Sequence, residues 1–173
     1  MRKRFLLTVV GPALALISTF GMARAETIGR YDCNIVGAAS QDPIGDHDGH
    51  RITGTQYACV GVEGLLKGAL YTGSSTSEWD GPKGRYLNGI GMLRSPDGIG
   101  VTMVTEGVGS VVMKDGKPVG SESTGKAIYQ FATGVFAPLS GKAVKWAVRP
   151  AGFNRFSLEV MTDDELTTAA AKQ

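Results

Sequence analysis

After residue 26 the apolar positions recur with a period of two, and no long stretch repeats them at helical spacing. The clearest run is Ala143 to Arg149, which puts Val144, Trp146 and Val148 on one face and Lys145, Ala147 and Arg149 on the other. Phe153 to Val160 continues the pattern, with Asn154, Phe156, Leu158 and Val160 sharing a face, and Pro150-Ala151-Gly152 between the two runs predicts a hairpin turn. Asp97-Gly98 and Asp115-Gly116 lie between further apolar runs, and an Asp-Gly step tolerates the positive φ angles of a two-residue hairpin. The predicted strands are 27–37, 50–62, 66–77, 85–95, 99–106, 108–114, 118–132, 143–149 and 153–160. Successive up-and-down strands leave unpaired edges unless the sheet closes, and Gly54, Gly89, Gly91, Gly107 and Gly109 suit the sharp bends of a small closed sheet. The fold class expected is therefore all-β, a single small antiparallel up-and-down β-barrel of about eight to nine strands. A two-sheet β-sandwich is the alternative.

The first 25 residues, MRKRFLLTVVGPALALISTFGMARA, carry a basic head, an apolar stretch and the small-x-small ending Ala23-Arg24-Ala25, the order of a secretory signal peptide. A membrane anchor is the competing reading, and Gly11 and Pro12 interrupt a run already short of a full span. The expected organisation is a signal over 1–25, a β-barrel domain over 26–161 and a flexible tail over 162–173, in a periplasmic or secreted protein with no membrane attachment once the signal is removed. Without Arg2, Lys3, Arg4 and Arg24, the formal charge of +2 becomes 14 basic against 16 acidic side chains. No basic stripe remains to neutralise phosphates, which argues against nucleic acid as a partner.

An oxidising destination changes how the two cysteines are read. Cys33 and Cys59 are equidistant from position 46, the centre of the hairpin that strands 27–37 and 50–62 would form, and a disulfide is expected between them. A catalytic thiol is the other reading, and it needs one cysteine to stay reduced.

The segment GKAIYQFATGVFAPLSGKAVKW, residues 125 to 146, with Gly125, Gly134, Phe136 and Gly141, resembles the strand-turn-strand signature of calycin-type barrels related to allene oxide cyclases and dirigent proteins. It is also similar to a group of uncharacterised exported proteobacterial proteins. The calycin-type resemblance implies a barrel that binds small apolar molecules and, in some members, cyclises or isomerises them. It supplies no catalytic residue by motif.

Candidate chemistry is thinly spread. Asp46-His47-Asp48-Gly49-His50 packs two imidazoles and two carboxylates into five residues, a set competent for a divalent metal, yet the turn formers around it favour a solvated loop tip, and no metal or other cofactor is expected. Alternation places His50 on one face with Ile52, Gln56, Ala58 and Val60, so that an inward imidazole would act as general base or hold a ligand. Glu106 follows Thr102 and Val104, and Arg94 follows Tyr86, Ile90 and Met92; if those faces are interior, His50, Glu106 and Arg94 form an acid–base and orienting set. Gln56, Tyr71, Trp79, Tyr86 and Asn154 are the expected ligand contacts, Phe131 and Phe156 lie near the same cavity, and Trp146 reads as plain core. Three functions remain open: a binder of a small apolar or aromatic molecule, a cofactor-free lyase, isomerase or cyclase using the same cavity, and an adaptor that binds protein through its outer surface. A homo-oligomer is compatible with each.

Overall fold

Nine strands and one 3-10 segment make up most of residues 26–163, the part of the chain that the computed structural model describes. They are β1 (Thr27–Ile35), β2 (Ser40–Pro43), β3 (His50–Gly64), β4 (Leu70–Asp80), β5 (Lys83–Ser95), β6 (Gly98–Lys114), β7 (Lys117–Ala132), β8 (Ala143–Gly152) and β9 (Arg155–Thr162), with the 3-10 segment Gly134–Leu139 between β7 and β8. Eight of them close an antiparallel ring in the order β3-β4-β5-β6-β7-β8-β9-β1, with β1 pairing back onto β3. Every ring strand then has a neighbour on both sides, which excludes the sandwich and removes the sheet edges. β2 stands outside the ring and pairs with the first part of β3, from Ser40 opposite Gly54 to Pro43 opposite Arg51.

Several predicted boundaries move. The break expected at residue 107 does not occur, because β6 runs unbroken through Gly107 as one strand. Pro150-Ala151-Gly152 belongs to β8, and the chain reverses instead at Phe153-Asn154, where Asn154 takes a φ of 54°. Asp115 and Gly116 have φ of 51° and 73°, the pair of positive values a primed two-residue turn requires. Neither Asp97 nor Gly98 adopts that region.

The pairing of β1 with β3 puts Cys33 opposite Cys59, and the two sulfurs are bonded at 2.04 Å. The pairs Asn34–Ala58 and Ile35–Tyr57 keep the same centre at residue 46. One end of the barrel is plugged where the 65–69 turn, the end of β5 and the 3-10 segment converge. Leu66 and Leu93 there are fully buried, and Phe136 and Leu139 pack into the same cluster. The opposite end, formed by the β4–β5, β6–β7 and β8–β9 turns, is open. The barrel is a cup.

The sense of the alternation is unexpected. Thr53, Thr55, Ser75, Ser77, Thr102 and Ser123 face inward, whereas Leu70, Ile90, Met92, Ile99, Met103 and Phe131 are exposed on the outer surface of β4 to β7. Two β-bulges also flip the phase within strands, since an extra residue moves every later side chain to the other face. Ser77 pairs with Tyr86 and Thr76 with Asn88, which leaves Leu87 unpaired. Val104 pairs with Ala127 and Glu106 with Lys126, which leaves Thr105 unpaired.

The signal expected over residues 1–25 lies outside the described residues, as does most of the tail. Thr162 ends β9, and the Asp163 side chain is fully buried, 3.1 Å from Lys145 and 3.4 Å from Lys126. Burial pushes the Asp163 carboxyl up, but the two ammonium groups outweigh it and hold the group below its ordinary 3.8.

Two outcomes follow for stability. Removing the disulfide by Cys33→Ala with Cys59→Ala should cost about 3 kcal/mol, the chain-entropy value for a loop of this length, read from denaturant midpoints. A carboxyl with a depressed folded pKa stabilises above its unfolded value and loses that contribution as pH falls through the folded one. Asp163→Asn should therefore lower the melting temperature near neutral pH, and its deficit against the parent should shrink progressively as scans are taken below the ordinary carboxyl value of 3.8.

Candidate functional site

The cup encloses a cavity of about 810 Å³. It stays hollow because the large aromatic side chains lie along the wall and not across it. Each lies against a glycine of a neighbouring strand: Tyr57 against Gly73, Tyr71 against Gly91, Trp79 against Gly84, and Trp146 against both Gly107 and Gly125. A Cβ at Gly73 would stand 2.7 Å from the Tyr57 ring, one at Gly84 2.6 Å from Trp79, and one at Gly107 2.7 Å from Trp146. Those distances are below ordinary contact, so only glycine leaves the rings room.

Tyrosines and hydroxyls line much of the hollow between the rings. Tyr31 and Tyr71 stack with ring centroids 5.3 Å apart, and Tyr57 meets Phe156 edge-on at 5.7 Å. The Tyr71 hydroxyl is 2.7 Å from Thr102 Oγ1, and the Tyr86 hydroxyl 3.1 Å from Ser123 Oγ. Trp79 Nε1 donates to Ser77 Oγ at 2.9 Å. Three polar atoms of lining residues are buried without a protein partner: the Tyr31 hydroxyl, the Trp146 indole N–H and the Arg51 Nε. A buried polar atom left unpaired costs about 1–3 kcal/mol, and none of these atoms is open to the hollow, so each is a cost carried within the wall.

The charge on the lining has one sign. Arg51 and Arg155, both at the open end, are its charged side chains, and among the described residues no carboxylate, lysine or histidine lines the cavity. Arg51 stacks over Trp79 at 5.7 Å, donates from Nη1 to the Gly49 carbonyl at 3.2 Å, and keeps its Nε buried without a partner. Burial pushes the hydroxyl pKa values of Tyr31, Tyr57, Tyr71, Tyr86 and Tyr129 up, so these phenols stay protonated at neutral pH. The interior offers apolar rings, neutral hydroxyl and N–H donors, and two cations at the mouth.

Of the expected contacts, Tyr71, Trp79, Tyr86, Asn154 and Phe156 line the cavity. Trp146, expected as plain core, lines it too. Gln56 points outward and is exposed, and so does Phe131. The acid–base set is not brought together. His50 faces outward because the inner face of β3 is the other one, carrying Arg51, Thr53, Thr55 and Tyr57. Arg94 lies beyond the Leu87 bulge and Glu106 beyond the Thr105 bulge, so the parity that put each with an inward residue is reversed. Arg94 reaches the exposed side toward Thr72, and Glu106 sits 3.8 Å from Lys126 on the outer wall. Arg51 and Tyr57 escaped the sequence reading, although Cys59 marks their face: cysteine is among the residue types most often buried, and 57, 55, 53 and 51 share its parity.

His50 is instead the centre of a network on the outer side of the mouth. Its Nδ1 is 2.7 Å from one Asp46 oxygen and 2.8 Å from the other, and its Nε2 is 2.9 Å from Glu78 Oε1. Glu78 Oε2 accepts from Arg85 Nε at 2.6 Å. Glu78 first and Asp46 second push the His50 pKa up, and His50 in turn pulls both carboxyls down.

Comparison with protein-family models, with curated proteins and with solved structures returns no match.

The wall packing is testable. Gly73→Ala should force the Tyr57 ring into the lumen at a cost of about 1–3 kcal/mol, the range for overpacking a core, and a crystal structure of the variant should show a smaller cavity. Thr102→Val, which removes the 2.7 Å hydrogen bond of the Tyr71 hydroxyl, should cost about 1 kcal/mol in chemical denaturation.

Proposed function

We propose that this protein binds a small, mostly apolar or aromatic molecule inside the cup and carries out no chemistry on it. The observation that carries the reading is the hollow of about 810 Å³, walled by aromatic rings and hydroxyls with two guanidiniums at its mouth. The cationic mouth and the absence of lining carboxylates favour a ligand with hydrogen-bond acceptors or an acidic group, and disfavour amines. The resemblance carried by residues 125–146 points to the same ligand class. The cyclase or isomerase reading needs titratable groups converging on the lumen, and His50, Arg94 and Glu106 lie outside it. The signal-like leader and the disulfide together support a periplasmic or secreted location, and no helix among the described residues is long and apolar enough to cross a membrane.

Trp79 and Trp146 supply the assay. Aromatic carboxylates should quench their fluorescence saturably, and the matched amines should bind at least about tenfold more weakly, a difference of roughly 1.4 kcal/mol. Ser75→Trp, which fills the lumen from the β4 wall, should abolish the signal, whereas His50→Ala and Glu106→Ala should leave it unchanged. Unimpaired binding by Ser75→Trp would place the ligand elsewhere.

A further inference from the structure

The two histidines of the 44–50 loop are oriented in a way that ordinary solvated turn residues are not. His47 Nε2 lies 3.2 Å from Asp80 Oδ1, and His50 Nε2 lies 2.9 Å from Glu78 Oε1. When a metal takes Nδ1 of an imidazole, a carboxylate beside Nε2 holds the one remaining ring proton there. Both Nδ1 atoms turn toward one carboxylate. His50 Nδ1 is 2.7 Å from Asp46 Oδ1, and His47 Nδ1 is 3.3 Å from Asp46 Oδ2. The rings stack with centroids 4.7 Å apart, and the three ligand atoms lie within 4.8 Å of one another. In the metal-free chain a proton lies between His50 Nδ1 and Asp46, in the place that a divalent cation would take.

We propose that Asp46, His47 and His50 are the ligands of a divalent transition-metal site of the zinc class, with Glu78 and Asp80 as its positioning residues. A carboxylate that accepts from the far nitrogen of a ligating imidazole is the usual support of such a site, and it sets both tautomer and ring angle. The supports come from a different element than the ligands: Glu78 and Asp80 are two apart on β4, so their side chains share its outer face under the loop. Arg85, on the adjacent β5, holds the second oxygen of Glu78. Imidazole donors select zinc, nickel or copper over magnesium and calcium, which take oxygen ligands. Three protein ligands leave a position open. The site is distinct from the lumen but touches its mouth, because Gly49, between the ligands, accepts the hydrogen bond from Arg51.

The test uses the full chain, stripped with chelator and titrated with Zn²⁺ in a calorimeter. One Zn²⁺ should bind per chain. His47→Ala, an exposed position whose loss leaves the barrel pairing intact, should weaken it at least about tenfold, and Asp80→Asn by about 10-fold or more, the range for supporting carboxylates. Melting curves of each metal-free variant check that the fold survives. In ¹⁵N imidazole spectra Zn²⁺ should shift Nδ1 of both histidines while Nε2 keeps its proton, a signature a merely structural role of Asp80 would not produce. Absence of stoichiometric Zn²⁺ binding, binding that His47→Ala leaves unchanged, or equal affinity for Mg²⁺ would each overturn the proposal.

Discussion

A ring that must stay open inside cannot be filled with the bulky side chains that normally stabilise a small barrel. Here apolar burial is supplied by aromatic rings laid flat on the wall, each over a glycine that lends it the thickness of a missing Cβ. Trp146 is the extreme case, wedged against two glycines that pair with each other across β6 and β7. The high glycine content thus serves space as much as turns. It also sets the polarity of the lumen: with the rings parallel to the wall, the hydroxyls of tyrosine, threonine and serine are left to line the remaining volume.

How much of this can be read in advance depends on which side of the sheet a residue occupies. The inward faces of β8 and β9 follow from alternation alone, because Val144, Trp146, Val148, Phe156, Leu158 and Val160 obey the rule that apolar means inside, and the disulfide follows from two cysteines placed symmetrically about residue 46. On β3 the rule inverts. Arg51, Thr53 and Thr55 face the hollow while Val60 is exposed, so a hydrophobicity argument selects His50 and Gln56 for the wrong side. On β5 and β6 no pattern of period two could survive, since the bulges at Leu87 and Thr105 are backbone irregularities without a side-chain signature. Gly134, Phe136 and Gly141, singled out for their spacing, turn out to build the plug: Phe136 is buried within it, and both glycines take positive φ.

The electrostatic arrangement separates two environments within a few residues of chain. Arg51 points into the mouth and its neighbour His50 points out, as successive residues of a strand must. Inside, the charge is positive and the donors are neutral. Outside, Asp46, Glu78 and Asp80 surround two imidazoles and a guanidinium. Gly49 links the two, through its carbonyl to Arg51 and through the Gly81 N–H that the same carbonyl accepts at 3.2 Å, so the loop cannot shift without disturbing the cation at the entrance.

The placement of β1 has a consequence for the order in which the molecule is built. β3 to β9 succeed one another as neighbours, but β1 must wait for β9, the last strand to be made, before its second edge is covered. Until then it is held from one side only, by β3 and the Cys33–Cys59 bond. The covalent staple therefore acts as a placeholder, keeping the first strand in register for a partner that arrives more than 120 residues later, between Asn34 and Arg155.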